Sequence, residues 1–166
     1  MTRMSLLTLL TVLLNACLFP GKPAPRHVAL AISPQVIAAG FREYELAVSE
    51  GVERAMCLYG TMKKDTLRVI IAIPPESVTA ATSSSVQYTC RAGEFFLGTW
   101  HTHLPQSDRR YTLLLPSVID RAESRGLRIF MVAVSLRDSE MLVYTSVGPA
   151  EDHLLWDRLT SKVTGP

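Results

Sequence analysis

Hydrophobic positions along the chain fall into short runs separated by polar and proline-containing segments, a pattern typical of buried strands. Ser33-Pro34 predicts a helix start, because serine caps a helix and proline is tolerated in its first turn. Gly51 predicts its end. Residues 76–85 are rich in serine and threonine and predict a loop. The pattern predicts strands at 28–32, 55–59, 67–73, 86–91, 94–103, 127–134 and 141–147, and helices at 34–49, 117–126 and 151–163. We therefore predict a single α/β domain whose mixed sheet is flanked by helices.

The amino terminus has a different character. Arg3 precedes an apolar stretch over 6–14, which is too short to span a bilayer as a helix of about 20 residues. Leu14-Asn15-Ala16-Cys17 resembles the lipobox of bacterial lipoproteins. We predict a signal peptide over 1–17, with Cys17 as the lipidated residue that would tether the protein to a membrane. A plain cleaved signal and an uncleaved anchor are the alternatives. A proline-rich tether over 18–27 and a domain over 28–166 follow, so export to the cell envelope is predicted.

Composition narrows the choice of function. Hydrophobic residues make up 48% of the chain and charged residues 19%, which excludes a disordered protein. A formal net charge of +2 is too small for the basic surface that nucleic-acid binding requires. With Cys17 lipidated, Cys57 and Cys90 remain, and they predict either a disulfide or two buried thiols. The chain has no Cys-x-x-Cys motif for a thiolate zinc site.

The candidate chemistry is concentrated around His101-Thr102-His103. Side chains two residues apart on a strand point to the same face, so both imidazoles can reach one point. Asp120, in the first turn of the predicted helix that follows, can add a carboxylate. Two imidazoles, one carboxylate and an open fourth position suit a catalytic zinc ion, one per chain. Hydrolysis would also need a second carboxylate as general base, from upstream in the chain.

These residues resemble the motif of the JAMM metalloproteases, also called JAB or MPN-plus, in which a Glu precedes His-Ser/Thr-His-Pro and Ser-x-x-Asp. Glu53 lies seven residues before Gly60, which matches the family's upstream segment. Ser117-Val118-Ile119-Asp120 matches the last element. The sequence departs from the motif in two respects. Proline is shifted by one, to Pro105, and the 13-residue spacer before Ser117 is longer than usual, so Asp108 is the alternative ligand to Asp120.

The resemblance implies a JAB/MPN-like fold, similar to that of cytidine deaminases, and a zinc ion bound by His101, His103 and Asp120. Glu53 would be the general base, with Glu50 as a nearby alternative. Ser117 would donate a hydrogen bond to the water or the oxyanion.

The implied function is cleavage of a peptide or isopeptide bond in a peptide or protein substrate. For an exported protein, a cell-envelope substrate is predicted in place of the ubiquitin-like and sulfur-carrier proteins of the family. The alternative is a non-catalytic binding or scaffold module. The sequence does not indicate an oligomeric state.

Overall fold

A computed structural model describes residues 28–104, 126–147 and 150–165. The predicted signal peptide and tether lie outside these residues, as does the predicted helix at 117–126 apart from its last residue, Gly126. In chain order the described elements are β1 (Ala29–Ile32), α1 (Pro34–Glu50), β2 (Ala55–Lys63), β3 (Thr66–Ile73), β4 (Ser77–Ala81), β5 (Val86–Thr89), β6 (Phe96–Thr102), β7 (Ile129–Arg137), β8 (Glu140–Val147), β9 (Ala150–Asp157) and β10 (Lys162–Thr164).

The predicted α/β class, and with it the expected JAB/MPN-like fold, is wrong for the described residues, of which 56% lie in strands and 15% in one helix. Eight strands form a mixed sheet in the order β1-β3-β2-β6-β7-β8-β9-β10, which curls until it is nearly closed. The pairs β1–β3 and β6–β7 are parallel, and the other pairs of this sheet are antiparallel. A separate ribbon pairs β4 with β5, and β4 occupies much of the predicted serine-rich loop. The described part is therefore mostly β, without helices flanking the sheet on both sides.

The predicted closing helix at 151–163 is also wrong. Residues 150–157 pair along the whole of β8, which places Trp156 beside Met141 in the core. The Asp157 side chain then accepts hydrogen bonds from the backbone N–H groups of Leu159 and Thr160, which makes a turn before β10. Leu159, within the range of the predicted helix, is 81% exposed. Pairing with a distant strand overrode the local apolar pattern, as is common in sheets.

Helix α1 agrees closely with its prediction because its end signals are local. The Ser33 hydroxyl accepts a hydrogen bond from the Val36 N–H, and Gly51 ends the helix with a φ of 70°, in the left-handed region that suits glycine. The helix packs on one face of the sheet, where Gly40 lies against the ring of Trp156. The main core lies between the helix and this face.

The opposite face of the sheet carries a second, smaller cluster. Residues of β7 alternate between the two faces, so Met131 joins the main core while Phe130 and Val132 join the second cluster with Tyr144. The ring of His101 contacts Phe130 edge-on at 5.4 Å between centroids. His101, the first residue of the predicted histidine pair, therefore lies on the face away from α1.

A disulfide joins Cys57, which is buried in β2, to Cys90, which directly follows β5. It ties the base of the β4–β5 ribbon to the main sheet. Of the two alternatives left open by the sequence, the structure has the disulfide. No helix within the described ranges has the length and hydropathy needed to cross a membrane.

Candidate functional site

The site is built around two imidazoles at the end of β6. The Nε2 atoms of His101 and His103 lie 3.3 Å apart, and their ring centroids are separated by 5.1 Å. His101 is 3% exposed, whereas His103 is only half-buried. The N–H of His103 donates to the carbonyl of Ala133 at 2.8 Å, which extends the pairing of β6 with β7 beyond the strand's end. Both histidines are thus held by backbone pairing, with one ring inside the protein and the other near its surface.

The spacing of the two nitrogens fits a zinc ion. With Zn–N bonds of 2.0–2.1 Å and tetrahedral angles, two nitrogen ligands lie about 3.3 to 3.4 Å apart. The observed Nε2–Nε2 distance is 3.3 Å. The same separation also permits a hydrogen bond in which one neutral ring donates and the other accepts. His101 and His103 therefore form a pair of donor atoms that either a proton or a zinc ion can bridge.

Glu53 lies on the segment that leads into β2, and it is 4% exposed. Its N–H donates to the Thr82 carbonyl at 2.7 Å, which ties it to the end of β4. In the antiparallel pairing of β2 with β6, Ala55 is opposite His101. The hydrogen bond from the Thr102 N–H to the Arg54 carbonyl continues that register by one residue, and one further residue reaches Glu53 and His103. The predicted base therefore lies at the same end of the β2–β6 pair as the histidines.

Arg54 connects this segment to the histidine strand and to the helix. Its N–H donates to the Thr102 hydroxyl at 2.9 Å, and the Thr102 N–H donates to the Arg54 carbonyl at 3.0 Å. Its guanidinium donates to Glu43 at 2.8 Å and to Glu50 at 2.7 Å. The hydrogen bond to Glu43 is the main cause that raises the pKa of Arg54. Glu50, the alternative base, lies on α1 and accepts one of these hydrogen bonds.

The other predicted site residues, Ser117, Asp120 and the alternative Asp108, lie outside the described residues. Within the described residues, no three His, Cys, Asp or Glu side chains form a group that could hold a metal. The described part of the site thus supplies two nitrogen ligands, with the Glu53 carboxylate on the segment that leads into the neighbouring strand β2. A complete ligand set requires Asp120 or another oxygen donor.

Sequence reasoning missed the contributions of Thr102 and Arg54. Thr102 is fully buried between the histidines, and its hydroxyl accepts the hydrogen bond that fixes Arg54. In the sequence, Thr102 stands out only as the middle residue of the histidine motif. Its partner is 48 residues away in the chain, so no local pattern announces the contact.

A separate apolar groove of about 710 Å³ lies along the middle of β2 and the second half of β3. Ile71 and Ile73 line it, and both are about half exposed. The Arg91–Glu76 ion pair lies at the groove, with a nitrogen–oxygen distance of 3.3 Å. The groove is distinct from the histidine pair, which does not line it.

Comparison with known protein families finds no matching family model, and comparison with curated proteins finds no significant match. The resemblance to the JAMM metalloproteases therefore rests on the residues of the motif.

Proposed function

We propose that the chain is a zinc-dependent hydrolase of the JAMM type, which cleaves a peptide or isopeptide bond. One observation carries the proposal. Two imidazole nitrogens lie at a tetrahedral zinc spacing of 3.3 Å, and a buried carboxylate, Glu53, lies on the facing segment of the same sheet. This chemistry requires a metal site, which the nitrogen spacing fits, and a carboxylate that does not bind the metal.

In this proposal each residue has a distinct role. His101, His103 and Asp120 hold the zinc ion. Bound zinc lowers the pKa of a water toward about 7 and polarises the scissile carbonyl. Glu53 takes a proton from the attacking water and passes it to the leaving amine. Ser117 donates a hydrogen bond to the oxyanion.

We propose that the protein acts outside the cytoplasm, on a peptide or protein of the cell envelope, with Cys17 as its membrane tether. The Cys57–Cys90 disulfide supports this location, because structural disulfides persist in oxidising compartments and are rare in the cytosol.

Elemental analysis of the purified full-length chain tests the metal site. We expect about one zinc ion per chain, lost in the variant His103→Ala and retained in the variant Glu53→Gln, because Glu53 is not a ligand. A wild type that retains no zinc after incubation and washing would refute the metal site and favour the scaffold alternative.

Hydrolysis of fluorescein-labelled casein and of an isopeptide-linked peptide tests the reaction. General acid–base catalysis contributes roughly 10² to 10⁴ in rate, so Glu53→Gln should lower activity by at least about 100-fold. Glu140→Gln, at the exposed first residue of β8, two strands away from β6, is the matched control and should leave activity unchanged. Full activity in Glu53→Gln would remove that residue from the mechanism.

A further inference from the structure

Arg54 occupies the one position between the proposed base and β2. Its backbone makes two hydrogen bonds to Thr102, of 2.9 and 3.0 Å, and Thr102 is the residue between the two histidines. Any movement of the Arg54 backbone therefore moves Glu53 relative to the histidine strand. The N–H of the preceding residue, Glu53, donates a hydrogen bond to the Thr82 carbonyl. The segment is therefore held by β6 on one side and by the end of β4 on the other.

The side chain of Arg54 fixes the same segment to α1. Its Nε donates to Oε2 of Glu43 at 2.8 Å, and Nη1 donates to Oε2 of Glu50 at 2.7 Å. Glu43 is 8% exposed, so its carboxylate is largely removed from water; Arg54 is its closer cationic partner, at 2.8 Å, and Arg42 lies at 3.4 Å. Arginine suits the position, because its planar guanidinium can engage two carboxylates in a fixed geometry. We call these three residues the Arg54 clamp.

We infer that Arg54 is a positioning residue: the Arg54 clamp holds Glu53 in place opposite the histidine pair. The inference rests on the proposed function and deepens it. A second ion pair also connects α1 to the sheet, but at a place remote from the histidines. Arg158 donates to Glu45 on the same helix at 2.6 Å, but Arg158 follows β9, three strands away from β6 in the sheet.

Hydrogen exchange of the full-length, zinc-incubated protein tests the clamp directly. The informative amides are those of Glu53 and Thr102, whose hydrogen bonds report on the segment. We expect Arg54→Met to speed their exchange by at least about tenfold, and the helix-side variant Glu43→Gln to do the same. Arg54→Lys, which keeps one charged contact, should restore exchange to within about threefold of the wild type. Glu45→Gln is the matched control and should leave both amides unchanged.

The zinc content and the rate of casein hydrolysis complete the test. Arg54→Met should retain its zinc and lower kcat with little change in KM, and Arg54→Lys should recover part of kcat. Unchanged exchange at Glu53 and Thr102 in a zinc-binding Arg54→Met would overturn the inference alone. Exchange that rises equally throughout β7, with the same loss of Tm as in Glu45→Gln, would also overturn it, since Arg54 would then serve only stability. A wild type that neither binds zinc nor cleaves casein would overturn the proposed function, and the inference with it.

Discussion

Replacing both Cys57 and Cys90 with alanine removes a cross-link between residues 33 positions apart in the chain. In the chain-entropy model, a closed loop of that length costs the unfolded state about 12.5 cal/mol/K, or about 3.7 kcal/mol at 25 °C. The native contacts of the β4–β5 ribbon are few, because every residue of β4 is exposed. We therefore expect the variant to fold, with a free energy of unfolding lower by about 3 to 4 kcal/mol.

Urea unfolding provides the assay, with tryptophan fluorescence as the signal. Trp100 and Trp156 are both fully buried, so their emission reports on the core. With a slope of about 1.5 to 2 kcal/mol/M, the midpoint of the variant should fall by about 2 M.

Two controls separate the cross-link from other effects. The wild type unfolded in the presence of reductant keeps both sulfur atoms and should match the variant. Cys17→Ala should match the untreated wild type. A loss below about 1 kcal/mol, or a reductant that leaves the midpoint unchanged, would refute the argument that the disulfide stabilises this fold through its unfolded state.

Two further predictions concern the main core. Gly40→Ala should lower the free energy of unfolding by about 1 to 2 kcal/mol despite its better helix propensity, because the added methyl would lie 2.7 Å from the Trp156 ring. Urea unfolding measures the change. Ala38→Gly, at an exposed position on the same helix, shows the effect of helix propensity alone, and a Gly40→Ala variant more stable than the wild type would contradict the prediction. Burial raises the pKa of Tyr44 from 10.0 to about 12, so the neutral phenol is favoured in the folded state. The shifted pKa of Tyr44 contributes about 2 to 3 kcal/mol to the free energy of unfolding. This contribution is fully present below pH 10 and is lost as the pH rises through 12. Tyr44→Phe should flatten this part of the stability curve, and an equally steep loss in that variant would contradict the assignment.

Local signals in the sequence predicted local structure well. The cap at Ser33 and the glycine at Gly51 placed α1 within one residue of its observed end, because both signals act through hydrogen bonds or dihedrals of neighbouring residues. The strands at 127–134 and 141–147 were confirmed in position by β7 and β8. The failure at β9 has the opposite cause. The consecutive apolar residues Leu154 to Trp156 suit a strand or a helix, and only the distant strand β8 decides between them.

The features of the candidate site also divide into those that local sequence predicts and those that depend on the fold. The histidine spacing was readable, because two residues on one strand face are neighbours by geometry alone. The placement of Glu53 opposite His103 depends on the register between β2 and β6, which the sequence does not reveal. The contacts of Arg54 to Thr102 and Glu43 depend on the folded arrangement of three elements. Motif reasoning therefore found the chemical groups, and the structure supplied what holds them together.

The contact between Gly40 and Trp156 also bears on when the chain can fold during its synthesis. The first helix meets a residue of β9, and Arg158 lies over the ring of Phe41 at 4.5 Å. Because Gly40 has this packing partner more than a hundred residues later in the chain, that part of the core stays incomplete until β9 has left the ribosome. An exported chain of this design would keep that part of its core open, and so stay fit for threading through a membrane channel, until β9 has been synthesised.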